Sequence, residues 1–123
     1  MISYSDLALI LSFTFMLYLT SQNYLIKIEQ LLKGFQLWSD VPPPVSDMTS
    51  TAPFCCDVMA FEQWLQFIFI PKMTELVAQQ QPLPTNMALA PMAEHVWQSV
   101  PYGGVMIAQL QQFDILLSQP FSE

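Results

Sequence analysis

No arginine occurs in these 123 residues, and three lysines (Lys27, Lys33 and Lys72) stand against ten carboxylates, for a net charge of −7. Gripping a phosphate backbone takes clustered Lys and Arg, so direct nucleic-acid binding is set aside as a primary activity. Glycine is scarce too, at three residues against ten prolines, and no phosphate-cradling glycine loop is present. The two cysteines, Cys55 and Cys56, are neighbours. A disulfide between them would close a strained ring, and nothing argues for an oxidising compartment. They read as small packing residues at a helix start, because Asp57 beside them disfavours a reactive thiolate. His95 is the sole histidine, next to Glu94, and one imidazole without a ligand cluster makes no metal site. We expect it exposed on a helix, with no metal and no other cofactor. Strand-like alternation of useful length is also missing.

Apolar residues make up 53% and charged ones 11%, where an ordinary soluble domain carries about 25% charged residues. Glutamine fills the gap with thirteen residues. A glutamine-coated surface stays soluble but repels its neighbours weakly, which favours a surface covered by a partner or a membrane. The length is that of one domain. The most apolar stretch, Leu7 to Leu19, is thirteen residues long, short of the roughly 20 that span a bilayer. No basic residue or small-residue cleavage site marks it as a secretory signal. Three readings stay open: an apolar helix packed on the domain or a partner, a weak membrane anchor, or residues ahead of an internal start at Met16. Membrane association is the least favoured of these.

Beyond it, Leu25, Ile28, Leu32 and Phe35 recur at helical spacing, and Trp38 extends their stripe. Pro42-Pro43-Pro44 and the Ser/Thr/Asp-rich residues up to Pro53 form a connection expected to cross the surface. A second helix starts between Asp57 and Phe61 and runs to about Gln80, with either Asp57 or Ala60 at its boundary. Pro71 removes the bond that its own N–H would make to the Phe67 carbonyl, which predicts a kink. After the stiff Pro82-Leu83-Pro84 turn, a third helix covers about Met87 to Trp97, with Pro91 tolerable near its first turn. A last helix runs from about Val105 to Ser118, with Leu110, Phe113 and Leu117 inward. The fold class is all-α: a four-helix bundle over residues 21–118, an apolar helical extension over 1–20, and a tail over 119–123.

Two features draw chemical attention. Asp114 sits on the apolar stripe of the last helix, four after Leu110 and three before Leu117, so it lies at the margin or is held by a lysine, a tryptophan N–H or backbone donors. No second carboxylate is placed to make an acid/base pair with it. The four side chains of Phe67-Ile68-Phe69-Ile70 are about 100° apart round a helix and cannot all reach one core, so at least one emerges near Pro71. Apolar side chains exposed there, beside the Pro-Leu-Pro turn, would make a protein-docking patch.

The run Phe61-Glu62-Gln63-Trp64-Leu65-Gln66-Phe67, followed by Ile70-Pro71-Lys72-Met73, Gln81-Pro82-Leu83-Pro84 and Ala90-Pro91, resembles the YqcC-like family of small proteobacterial proteins. Pro53-Phe54 with Asp57, and Leu110 with Asp114, are similar to it as well, and the likeness covers roughly Asn23 to Ser118. It departs at Ala60-Phe61, where relatives often carry a helix-capping residue or a proline. The resemblance implies a cytoplasmic four-helix bundle without catalytic activity. Its genes commonly neighbour one for a tRNA pseudouridine synthase, which implies such an enzyme as protein partner. The expected contact residues are Phe54, Trp64, Phe67, Ile70, Pro71, Leu83 and Pro84, with Asp114 as a polar support. The alternative is a small-molecule-binding or catalytic domain with Asp114 in an inter-helix pocket, and a homodimer stays open.

Overall fold

Ser3 starts the first helix from an extended conformation, its hydroxyl oxygen accepting the Asp6 N–H at 3.1 Å. The computed structural model describes residues 3–118, so the 119–123 tail and the first two residues of the extension lie outside the described residues. Helix α1 (Tyr4–Gly34) runs for 31 residues without a break, joining the expected extension to the first bundle helix. The physical reason is local: Thr20-Ser21-Gln22-Asn23 is polar but holds neither proline nor glycine to stop a helix. Only its second half packs. Leu17, Ser21, Leu25, Ile28 and Leu32 are buried, while Leu7, Leu9, Leu11, Phe15 and Met16 are exposed.

The second helix, α2, covers residues 61–78 in three parts: Phe61–Trp64, a π-helical turn at Leu65–Phe69, and Ile70–Ala78. Ala60 is its N-cap and has no side-chain acceptor, so the Gln63 Oε1 reaches back to the Ala60 N–H at 3.0 Å. Asp57 instead accepts the Ser50 hydroxyl at 2.6 Å. The expected kink at Pro71 takes the form of that π turn, in which the Ile70 N–H bonds to the Leu65 carbonyl. A widened turn makes room for a proline ring that would clash in a regular helix. α3 (Leu89–Trp97) and α4 (Gly103–Leu117) complete the bundle. Four helices and no strand occur among the described residues.

α4 packs on α3 and on α1, and α2 closes against α1. Phe113 lies at the centre, fully buried, with its ring stacked 5.1 Å from Tyr24 and edge-on to Phe69 at 6.0 Å. Leu110 and Leu117 are buried beside it, as their spacing foretells. The long connection before α2 follows the surface through two short 3₁₀ turns, Val45–Thr49 and Pro53–Cys55. It is pinned at its start by the buried Gln66 amide, which accepts the Ser39 N–H at 2.8 Å and donates to the Ser39 carbonyl at 2.7 Å. Both α1 and α2 stop on a left-handed glutamine, Gln36 (φ 62°) and Gln80 (φ 52°). The following N–H groups, of Leu37 and Gln81, bond back at 2.8 Å to Leu32 and Leu76, closing each helix end where glycine is usual.

Candidate functional site

The widened turn of α2 and the loop that follows the helix enclose a shallow apolar groove of about 210 Å³. Trp64, Ile68 and Lys72 stand at four-residue intervals along one side, with Phe69 and Met73 beneath, and Pro84 and Met87 form the far wall. Lys72 is exposed at the rim. Trp64 is half-buried and ties the groove to the aromatic cluster behind it. Its ring meets Phe54 edge-on at 4.8 Å and stacks with Phe69 at 5.4 Å, while Phe61 links the cluster to Trp97 at 5.3 Å. Phe54 occupies a left-handed conformation (φ 56°), as does the adjacent Cys55 (φ 51°). A non-glycine backbone there costs about 1–2 kcal/mol per residue. The edge-on contacts of Phe54 with Phe61 and Trp64 hold that strained turn in place.

The structure brings Trp64 and Pro84 together on this groove, sets half-buried Phe54 against the back of Trp64, and leaves Pro71 exposed and Phe67 half-buried. Ile70 and Leu83 depart from expectation. Both are buried, at 8% and 4% exposure, and belong to the core rather than to a contact surface. For Ile70 the cause is the π turn: its extra residue shifts the helical phase, so the consecutive pairs Leu65-Gln66 and Phe69-Ile70 all point inward. For Leu83 it is the rigid pair of flanking prolines, which turns that one side chain into the bundle while Pro82 stays outside. Of the Phe67–Ile70 run, from which at least one side chain was expected to emerge, Phe67 and Ile68 are half-buried and Phe69 and Ile70 are buried. Sequence reasoning missed Ile68, Phe69, Lys72, Met73 and Met87 as groove residues. The signal for the first four was the i, i+4 spacing Trp64–Ile68–Lys72 and Phe69–Met73.

Asp114 is engaged elsewhere. Its Oδ1 accepts the Leu89 N–H at 3.1 Å and its Oδ2 the Ala90 N–H at 2.8 Å. The N-cap residue of α3 is Ala88, which offers no side-chain oxygen, and Pro91 has no N–H to satisfy. Two orphaned donors remain at the start of α3, and a carboxylate from α4 takes both. Burial raises the Asp114 carboxyl above its ordinary value, against the opposing pull of the Ala90 and Leu89 N–H groups. Of the remaining candidates for chemistry, His95 and Cys56 are exposed and Cys55 is buried, both thiols being free. Among the described residues no group of three or more His, Cys, Asp or Glu is gathered to hold a metal ion.

A family model described as tRNA pseudouridine synthase C matches residues 20–116. The chain belongs to the YqcC-like family. YqcC of Escherichia coli (strain K12) is 34% identical over 96 residues, which are 77% of this chain and 88% of that one. A Haemophilus influenzae protein is 32% identical over 74 residues, 60% of this chain and 70% of its own. The solution NMR structure of E. coli YqcC superposes with a TM-score of 0.75 at 32% identity, covering 84% of this chain and 89% of that chain. A tRNA pseudouridine synthase C of Pectobacterium carotovorum subsp. carotovorum is 34% identical over 74 residues, 60% of this chain but 20% of that protein. The groove described above thus lies on a YqcC-like bundle, and the apolar first half of α1 lies ahead of the family match.

Proposed function

We propose that this YqcC-like chain is a non-catalytic, cytoplasmic partner of a tRNA pseudouridine synthase and docks on it through the Trp64 groove. The observation that carries this reading is the Pectobacterium protein, where sequence like this chain's fills one-fifth of a polypeptide named as the synthase. Joining two units in one chain holds them at high effective concentration, an arrangement suited to units that work in contact. Charge supports the pairing. A surface of net charge −7 complements the basic face of an RNA-handling enzyme, giving association that is steered by charge and weakened by salt. The groove offers what an apolar anchor needs: a half-buried Trp, a methionine wall and a proline edge. Catalysis finds less support, since the two Asp114 oxygens are already taken up by the α3 backbone.

Titration calorimetry of the purified chain with the synthase tests the reading. A one-to-one complex is expected, with affinity falling as salt is raised. Met87→Glu, on the groove wall and outside the helices, is expected to weaken it by about tenfold or more, since burying an unpaired charge opposes docking. Absence of a complex at low salt would overturn the reading, and binding unaffected by Met87→Glu would overturn the choice of groove.

A further inference from the structure

The bundle covers almost none of the first half of α1. Among residues 4–20 Leu17 alone is buried. Eight large apolar side chains between Leu7 and Leu19 stand exposed, from 39% for Ile10 to 61% for Leu11 and Phe15. At about 100° per residue they surround the helix with no gap wider than about 60°. Leu11 and Phe15 point one way, and Leu9 and Phe13 point nearly opposite. A helix that is apolar all round lies in a large core or crosses a membrane. The core is excluded, because the bundle leaves this half uncovered. A partner helix covers one face, a stripe about 100° wide, and would leave the remaining side chains in water. A surrounding apolar solvent meets all of them.

Length and charge agree with a bilayer. The apolar run from Leu7 to Leu19 is short for a span, but the helix starts at Tyr4 and continues through Thr20 without a break. That stretch is about 25 Å long, at the lower end of what crosses a hydrocarbon core. By length and composition α1 is able to cross a membrane. No charged residue occurs from Leu7 to Ile26, and Asp6 lies in the first turn, where a span meets water. The Thr14 hydroxyl donates to the Ile10 carbonyl at 3.0 Å, so its proton is satisfied within the helix, as lipid demands. A signal sequence that is cut away would need basic residues ahead of the run and a small-residue site after it, and neither is present. Where the bare stretch ends, the Tyr18 hydroxyl donates to the Gln81 carbonyl at 2.8 Å and ties the helix to the bundle. Lys27 and Lys33 follow within about fifteen residues of Thr20, while Ser3 to Asp6 hold no basic residue. Lysines flanking a span are retained on the cytoplasmic side. We propose that α1 crosses a lipid bilayer over residues 4–20 and holds the bundle at its cytoplasmic face. Neither the span nor its orientation depends on what the Trp64 groove binds.

Flotation of the full chain on a density gradient with phosphatidylcholine vesicles tests the span. The chain is expected to rise with the vesicles and to stay bound as salt is raised, since the contact is apolar. Leu9→Glu and Leu11→Glu replace exposed side chains on opposite sides of the helix. Each is expected to lower the bound fraction by about tenfold or more with the helical signal unchanged, because a carboxylate in hydrocarbon is costly whichever way it faces. A chain that stays in the aqueous fraction, or that floats equally well with both glutamates, would overturn the proposal. So would loss of flotation in one variant alone, which marks a one-sided contact. In spheroplasts Cys56, exposed on the bundle, is expected to react with a membrane-impermeant maleimide only once the membrane is opened. Labelling of closed spheroplasts would overturn the orientation.

Discussion

Asp114 holds α3 from outside that helix, because Ala88 cannot cap it from within. Asp114→Ala leaves the Leu89 and Ala90 N–H groups without acceptors, and a loss of about 1–3 kcal/mol is expected in urea unfolding. Asp114→Asn keeps one acceptor and should lose less. The two carboxylate forms differ in a way that pH exposes. Burial raises the folded carboxyl above its ordinary 3.8, so the folded chain binds this proton more readily than the unfolded chain does. Stability contributed by this group therefore falls as pH rises from about 3.8 through the folded value, and is level above it. Wild-type stability minus that of Asp114→Asn, taken at stepped pH, is expected to fall across that window. A difference that climbs with pH would mean that the two backbone bonds outweigh burial.

The helices stand where hydrophobic periodicity places them, because each carries its own spacing and its own stop. α4 shows both the strength of that signal and a detail beyond it. Leu110, Phe113 and Leu117 announce the inward face, but the helix begins at Gly103, two residues before the first expected position. A Cβ on Gly103 would stand 2.0 Å from the Trp97 carbonyl oxygen, whereas one on Gly104 would meet nothing within 4 Å. Gly103→Ala is expected to destabilise by about 1–3 kcal/mol by forcing α3 and α4 apart. Gly104→Ala should be neutral or stabilising by up to about 1 kcal/mol, as thermal unfolding of both variants would show. Opposite outcomes would mean that the α3–α4 corner is not set by this close approach. Sequence alone could not distinguish the two glycines, since the difference lies in a contact with another helix. The π turn of α2 was hidden for a similar reason. Pro71 signals a disturbance, but whether a helix bends or widens depends on what its inner face packs against. That choice decides the burial of Ile70 and the groove that Ile68, Lys72 and Met87 share with Trp64. Asp114 was legible as a misplaced acid, its partners only as a choice among donors.

Taken whole, the molecule has a packed acidic bundle with an apolar groove between α2 and the loop that follows it, and a first helix whose apolar first half extends past the packed core. Few charges and many glutamines leave its surfaces weakly repelling, in keeping with a chain that works against another protein. The proposed partnership names a tRNA pseudouridine synthase as that protein, because sequence like this chain's occurs within a Pectobacterium protein so named. The most direct check is the level of pseudouridine at the synthase's tRNA position in cells that lack this chain, then resupplied with wild type or with Met87→Glu. Modification should drop without the chain, return with wild type, and stay low with the groove variant. Equal modification in all three strains would contradict the proposed partnership.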